Sequence, residues 1–449
     1  MDSHTTTLKR PPVIVAGLGL ALIAAALVMR SSVRVPHPAP PSASMSTESA
    51  RGTLADQRLR AAQETVRQAP ADAHGYHALT AAYMQKARET GDFGFNAKAQ
   101  AAIERAEALA PGDFDGLKLR AWVLLTYHDF DQALQVAQQA RQMRPQDHEI
   151  YGALVDAFVE LGRYEEAGTT AQAMIDMHPD AAAYARVSYL RSLHGDTDGA
   201  IAAMQLAADA ASPRDIEAVA WYRVHLAAEL MNAGRFAEAE REVDRALATF
   251  PNYHLGLAAK ARLRAARGDT AMALDLYVQA EHRVPLPDTV IALGDLYTLL
   301  GRPDDARRQY ALLEFIENAS APGSATYSRQ LALFWADHGL RLGDALAIAR
   351  RERAARADIY ASDLLAWCLF KAGDFAAAKQ SSDEALRLGT RDARLYYHAG
   401  MIDQAVGDSA RAAEYLRRAL ATNPAFDVLQ VDVARRMLAD MGSTLGGTQ

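Results

Sequence analysis

The sequence predicts an all-α solenoid of about ten helix hairpins, and three small-residue marks carry this prediction. An alanine recurs at intervals of 33, 34 or 39 residues along most of the 449-residue chain. A glycine precedes most of these alanines by five residues, and a proline follows several of them after twelve. No run of alternating β-branched residues suggests a sheet. Because repetition at this period is typical of stacked helix pairs, one continuous domain is expected.

Residues 148–179 show one repeat unit in full. Apolar residues at helical spacing from Tyr151 to Phe158 predict a first helix, and a second helical run extends from Tyr164 to Met177. Glycine between them suits the left-handed conformation that ends a helix. The alanine is small because two helices cross there, and a larger side chain would cost about 1 to 3 kcal/mol. The crossing alanines are Ala99, Ala133, Ala167, Ala200, Ala239, Ala273, Ala306, Ala345, Ala378 and Ala412.

The turn and terminal residues keep the same register. The glycines are Gly162, Gly195, Gly234, Gly268, Gly301, Gly373 and Gly407, with His128 in the second unit. The prolines are Pro111, Pro145, Pro179, Pro251, Pro285 and Pro424. Over about residues 70 to 424 this pattern resembles the tetratricopeptide repeat family. The resemblance implies a right-handed superhelical solenoid whose first helices line a concave surface.

Several units depart from the pattern. The first unit carries an insertion from Gly91 to Asn96, and the two 39-residue intervals imply lengthened segments before Trp221 and around residues 318–324. The sixth unit puts Lys260 and Arg264 where apolar residues are expected. Loops, kinks or local opening are expected at these places.

The first 51 residues predict a membrane attachment ahead of the repeats. Residues 1–12 form a polar tail, and Val13 to Met29 is a stretch of 17 uncharged apolar residues that ends at Arg30. This length favours a transmembrane helix over residues 13–30, since spanning helices need about 17 to 25 residues. An uncleaved signal, or a signal peptide cleaved near residues 42–44, is the alternative. Residues 31–51 are rich in Pro, Ser and Ala and read as a linker.

We expect a single-pass protein of a bacterial cytoplasmic membrane with its repeats on the extracytoplasmic side. Lys9 and Arg10 before the apolar stretch balance Arg30 and Arg34 after it, so the orientation rests on the short tail and the long following domain. Secretion after signal cleavage is the alternative. The only cysteine, Cys368, is far from this stretch, which excludes a lipid-modified cysteine next to it.

The repeat domain is expected to span residues 52–441 and to begin and end with cap helices. Leu54, Leu59, Ala62 and Val66 would lie on the buried side of the first cap. Residues 426–441 show an apolar and a polar side, as a terminal cap requires. Residues 442–449 are expected to be a disordered tail.

The charge balance argues against nucleic acid as a partner. The formal net charge is −7, and the first 50 residues carry +2, which leaves −9 on the remainder. An acidic domain would repel phosphate backbones and anionic lipid surfaces.

Residues expected to face the concave surface are mostly aromatic, with scattered aspartates. The resemblance assigns this surface to four places in each first helix. The candidate partner-binding residues are Trp122, Tyr189, Trp221, Asp295, Tyr360, Asp363, Trp367, Phe370 and Tyr397, with Asp156 and Arg262 at equivalent places. Such a groove suits an extended peptide or a short helix from another protein. The densest group runs from Tyr360 to Tyr397, and its rings could instead pack between repeats.

The sequence offers little for catalysis. It contains no glycine-rich phosphate loop, no HExxH, no paired-cysteine metal motif and no nucleophile elbow. The nearest groupings of acid and histidine are Asp337 with His338 and His398 with Asp403. We therefore expect no catalytic residues, no metal site and no cofactor.

Three functional hypotheses follow. The first is a non-catalytic membrane-tethered scaffold that binds a protein or peptide partner in its groove. The second is a periplasmic biogenesis factor or chaperone, which would bind many unrelated extended chains. The third is an enzyme or small-ligand binder, which would need a closed pocket with convergent polar groups.

Overall fold

The computed structural model describes residues 52–319 and 328–446, and every regular element in these ranges is a helix. The predicted all-α class is thereby confirmed. The predicted tail, membrane segment and linker within residues 1–51 lie outside the described residues. Among the residues that are described, no helix is both long enough and apolar enough to cross a bilayer.

Twenty-two helices occur in the described residues. α1 and α22 stand at the two ends, and the other helices form ten consecutive pairs, numbered here as units 1 to 10. The helices are α1 Leu54–Gln68, α2 Ala73–Thr90, α3 Gly94–Leu109, α4 Phe114–Thr126, α5 Phe130–Met143, α6 His148–Glu160, α7 Tyr164–Met177, α8 Ala181–Leu193, α9 Thr197–Ala210, α10 Ile216–Asn232, α11 Phe236–Thr249, α12 His254–Ala266, α13 Thr270–Arg283, α14 Pro287–Leu299, α15 Pro303–Ala319, α16 Ser328–His338, α17 Leu342–Ala355, α18 Ile359–Lys371, α19 Phe375–Ala385, α20 Ala393–Ala405, α21 Ser409–Thr422 and α22 Gln430–Gly446. Unit 1 is therefore α2 with α3, and unit 10 is α20 with α21.

The ten periodic alanines lie where the two helices of each unit pack. Every one of them is buried, with at most 3% of its surface exposed. The cores between units are also built from small and aliphatic side chains, with Ala137, Ala140, Ala153 and Leu154 in one continuous cluster. The predicted register is confirmed by this burial.

The turn in five of the units combines a left-handed residue with an aspartate that caps the second helix. Gly195 has φ of 75°, and Asp196 next to it accepts a hydrogen bond from the amide of Gly199 at 3.0 Å, which begins α9. Glycine–aspartate pairs do the same in three other units. His128 takes the left-handed conformation with φ of 61° in unit 2, where glycine is missing. One residue therefore ends the first helix and the next begins the second.

Of the irregular places noted in the sequence, unit 6 differs from expectation because its first helix has no kink. The first 39-residue interval produces a 17-residue α10 that follows a connection over residues 211–215, and α15 is lengthened to Ala319. Residues 320–327 of the second interval lie outside the described part. In unit 6, Lys260 and Arg264 cause no kink, because they form ion pairs with Asp244 and Glu240 of the preceding α11 at 2.7 and 2.5 Å. α12 is continuous.

Helices occupy both predicted cap positions, and the second helix is longer than expected. α1 packs on unit 1 with Ala62 buried, and α22 packs on unit 10 with Val431 and Ala434 buried. α22 continues to Gly446, past the predicted end at residue 441. Residues 442–446 therefore extend the terminal cap helix, although their polar and glycine-rich composition predicts a tail.

First helices lie on the inner side of the solenoid. In most neighbouring units the two first helices contact each other directly, as α4 does with α6 and α18 with α20. Second helices pack mainly on the first helices of their own and the following unit. Because contacts are closest on the side of tighter curvature, the first helices form the concave surface.

The solenoid also packs against itself between distant units, along a line named here the seam. In four of the first five units, the left-handed glycine of unit n faces the end of unit n+5. A Cβ on Gly162 would lie 2.3 Å from the carbonyl oxygen of Ala357, and one on Gly195 would lie 2.5 Å from that of Gly389. The other two pairs are Gly91 with Val284 and Gly234 with Thr422. Absence of a side chain at these turns allows the two backbones to approach closely.

Hydrogen bonds hold the seam at its centre. The amide of Ile359 donates to the hydroxyl of Tyr164 at 2.9 Å, and the hydroxyl of Thr390 donates to the carbonyl of Leu193. Arg356 donates to the carboxylate of Glu160 at 3.0 Å and to Nδ1 of His128 at 2.8 Å. One buried guanidinium thus joins units 2, 3 and 8, and the seam limits access to the concave surface from the side.

Candidate functional site

Five of the nine candidate groove residues keep open surface. Tyr189 is 40% exposed, and Trp122, Trp221, Tyr360 and Phe370 are half-buried. Their neighbours leave part of each ring free. The guanidinium of Arg186 lies over Trp122 at 5.3 Å, and Trp221 stacks on His225 at 3.6 Å. These rings offer the apolar area that an incoming segment could cover.

Four candidates are buried in the packing of the solenoid. Trp367 is 1% exposed, and Tyr397, Asp363 and Asp295 are also buried. Trp367 stacks on His398 at 4.0 Å and donates from its indole nitrogen to Asp337 at 2.7 Å. Within the described structure these four side chains are already engaged with their own chain. The group from Tyr360 to Tyr397 is therefore partly core and partly surface, and its role in partner binding stays a prediction.

Two of the candidate tyrosines lie in one cluster, named here the tyrosine cluster, which contains Tyr189, Tyr360, Glu229 and Asp392. Tyr189 is on α8 and Tyr360 on α18, yet their phenols interact electrostatically because the seam brings units 4 and 9 together. Glu229 on α10 accepts a hydrogen bond from Ser192 at 3.1 Å. Four different first helices or their caps thus meet at one place on the concave surface.

Burial and neighbouring carboxylates change the pKa values of the side chains in the tyrosine cluster. Burial raises the pKa of Tyr189 and of Tyr360, and nearby carboxylates raise it further. Burial also raises the pKa of Glu229, against the lowering effect of the Ser192 hydrogen bond. The phenol of Tyr189 therefore resists ionisation, although 40% of this residue is exposed.

A second cluster of opposite charges lies further along the concave surface. Burial raises the pKa of Asp288 at the start of α14. Arg262 and Arg394 face this carboxyl group and offset part of that increase. Arg394 pairs with Asp427 at 3.7 Å. Asp288 belongs to unit 7 and Arg394 to unit 10, so charges three units apart face each other across the inner space. Both signs occur here, so the surface is polar rather than uniformly acidic.

The two groupings of acid and histidine noted in the sequence do not pair with each other. His338 bonds through Nε2 to Asp295 at 2.9 Å rather than to Asp337. His398 bonds through Nδ1 to Asp363 at 3.0 Å, while Asp403 pairs with Lys379 and Arg411 at 3.4 Å each. His398 is completely buried, and both histidines join neighbouring first helices. These are contacts that fix the stacking of units.

One group that the sequence analysis missed lies between units 3 and 4. His148, His178 and Asp180 place three potential metal-ligand atoms within 4.8 Å of one another. His148 is the first residue of α6, and the other two follow α7 around Pro179. The repeat period is the signal that could have found it, because it places the start of one first helix beside the start of the next.

Comparisons with known proteins support the repeat assignment in two segments. Models described as tetratricopeptide repeat match residues 124–188 and residues 393–426. These two segments are therefore similar to tetratricopeptide repeats, and the other units rest on the register described above. No curated protein matches the chain.

Solved structures similar to this chain include three at low identity. The human IFIT1 dimer with PPP-AAAA has 12% identity and a TM-score of 0.45, with 83% of this chain and 88% of that chain covered. The APC/C hetero-tetramer Cut9-Hcn1 has 14% identity and a TM-score of 0.33, with 86% and 93% covered. A tetratricopeptide repeat protein from Parabacteroides merdae ATCC 43184 has 17% identity and a TM-score of 0.34, with 66% and 99% covered.

Proposed function

We propose that this chain is a non-catalytic protein–protein interaction scaffold that binds an extended segment of a partner on its concave surface. The observation that carries the proposal is the partly exposed aromatic surface on the first helices, of which Tyr189, at 40%, is the most exposed part. Aromatic side chains give large contact areas at low conformational cost, so they anchor peptides well.

The seam favours an extended segment over a folded partner. It joins units 3 to 5 to units 8 to 10, so a globular domain would have to separate them to reach the tyrosine cluster. A strand-like or short helical segment needs no such separation. Its polar groups would find partners in the mixed charges of Asp288 and Arg394.

Tethering to a membrane through residues 13–29 is part of this proposal. The 17 uncharged apolar residues support it, and a bacterial cytoplasmic membrane with the repeats outside is the arrangement that we propose. Deletion of residues 13–29 tests it. The full chain should sediment with membranes and the deleted chain should not, whereas equal distribution of both would contradict the tether. Cleavage of the full chain by protease added to spheroplasts would place the repeats outside.

Site-specific photocrosslinking tests the binding surface. A photoreactive amino acid at Tyr189 should capture one partner segment in cells, while the same group at Leu206 on α9 serves as control. Leu206 is 51% exposed and belongs to a second helix, so it matches the exposure of Tyr189 on the outer side. One dominant partner at residue 189 would support the scaffold. Many unrelated chains would instead support a chaperone, and equal capture at both positions would contradict binding on the concave surface.

A further inference from the structure

We propose that His148, His178 and Asp180 form a three-ligand site for a transition-metal ion, with Zn²⁺ as the best-suited ion. Two imidazoles and one carboxylate are a ligand set that zinc accepts and that magnesium and calcium do not favour. The site lies at the joint between units 3 and 4, apart from the tyrosine cluster.

The carboxylate of Asp180 is fixed by a helix cap. Its Oδ1 accepts a hydrogen bond from the amide of Ala183 at 2.8 Å, which begins α8. Its Oδ2 lies 3.3 Å from Nε2 of His148 and 3.6 Å from Nδ1 of His178. One oxygen therefore holds the side chain in place while the other faces both imidazoles, in the manner of an anchored metal ligand.

These distances suit coordination after a small adjustment. Ligand atoms around tetrahedral zinc lie about 3.4 Å apart, because each bond is about 2.0 to 2.2 Å long. The two imidazole rings stack at 4.4 Å with an interplanar angle of 16°, so one ring has to turn before both nitrogens can face one ion. His178 can turn because 59% of its side chain is exposed. His148, at 28%, is held more firmly at the start of α6.

A bound ion would connect two neighbouring units. His148 starts the first helix of unit 3, and Asp180 caps the first helix of unit 4, which carries Tyr189. The helix dipoles at both N-termini disfavour a cation, and the carboxylate offsets them, so we expect modest affinity. Three protein ligands leave the fourth position to water or to a side chain of the bound partner.

Binding of Zn²⁺ and Co²⁺ to the purified full chain, without any histidine tag, tests the proposal. Calorimetry should show one zinc ion per chain, and Co²⁺ should give the visible absorption bands of a tetrahedral site. His178→Gln and His148→Gln should each weaken binding at least tenfold, whereas His282→Gln, at an exposed histidine on α13 outside the group, should not. Circular dichroism of the metal-free variants verifies that each remains folded.

The result that would overturn the proposal is also specific. If the wild-type chain binds no zinc at a tenfold molar excess, or if His178→Gln binds as tightly as wild type, the three residues are not a metal site. Loss of zinc binding would leave the partner-binding proposal untouched, because Tyr189 crosslinking does not depend on it.

Discussion

The amide nitrogen of Ala357 donates a hydrogen bond to the carbonyl oxygen of Glu160 at 3.0 Å, across five units of the solenoid. Backbone groups at turns usually bond within their own turn or to solvent. Here the end of unit 8 uses the end of α6 as its partner, directly beside Gly162. The contact shows that successive turns of this solenoid touch, and the concave surface is bounded by that contact.

Substitution of Gly162 by alanine should destabilise the fold more than the same change at Gly301. Both glycines have φ of 68°, so a side chain at either position meets the same left-handed penalty of about 1 to 2 kcal/mol. A Cβ at residue 162 would also meet the backbone of Ala357, whereas nothing lies within 4 Å of one at residue 301. We expect Gly162→Ala to cost about 1 to 3 kcal/mol more in urea unfolding. Equal losses would mean that the seam does not form.

Arg356→Met should loosen the seam at its centre. Removing the guanidinium leaves Glu160 and the buried Glu352 without their shared partner, at a cost of about 1.5 to 3 kcal/mol. Hydrogen exchange at the amide of Ala357 should accelerate at the same time. Arg351→Met, on the exposed side of α17, should stay within about 0.5 kcal/mol of wild type. Unchanged exchange at Ala357 in the Arg356 variant would contradict this role.

The repeated part of the fold could be predicted because its determinants are local. Ala167 is small where two helices cross, and Gly162 is left-handed where the chain reverses, so both can be recognised from spacing alone. The extension of α22 to Gly446 was missed because glycines near a chain end usually stop a helix.

Spacing alone could not predict the seam, nor which aromatic side chains are buried and which keep open surface. Closure of unit 3 on unit 8 depends on the curvature of all the units between them, which spacing does not encode. Trp367 and Tyr360 belong to the same helix and the same pattern. Trp367 is nevertheless buried, because two rings stack on it. His398 of α20 and Phe370 of α18 have ring centroids 4.0 and 5.0 Å from that of Trp367.

Trp367→Ala should therefore mainly reduce stability, whereas Tyr360→Ala should mainly reduce partner binding. The first removes a buried ring and the hydrogen bond to Asp337, and should cost about 3 to 5 kcal/mol of stability. The second removes a half-buried ring, should cost about 1 kcal/mol, and should weaken partner binding. Thermal unfolding and binding measured on the same preparations distinguish them. A stable Trp367→Ala protein would show that this ring is not part of the core.

Glu229→Gln should stabilise the protein at neutral pH but not at pH 4. Burial raises the pKa of Glu229, so the folded state holds its proton more tightly than the unfolded state does. The wild-type protein therefore loses stability as the pH rises from about 4.5 through the folded pKa, and glutamine does not. Urea unfolding from pH 4 to 8 measures the difference, with exposed Glu165→Gln as control. A gain that is constant over this range would contradict the proposed desolvation.

The most direct test of the account is the affinity of the captured partner segment for a Tyr189→Ser, Tyr360→Ser double variant. A Leu206→Ser, Phe375→Ser protein is the matched control, because both of its residues are exposed apolar side chains on second helices. Calorimetry should show a loss of at least about thirtyfold for the tyrosine variant, as expected when about 2 kcal/mol of anchoring is removed, and little change for the control. Unchanged affinity in the tyrosine variant, or an equal loss in the control, would contradict binding on the concave surface.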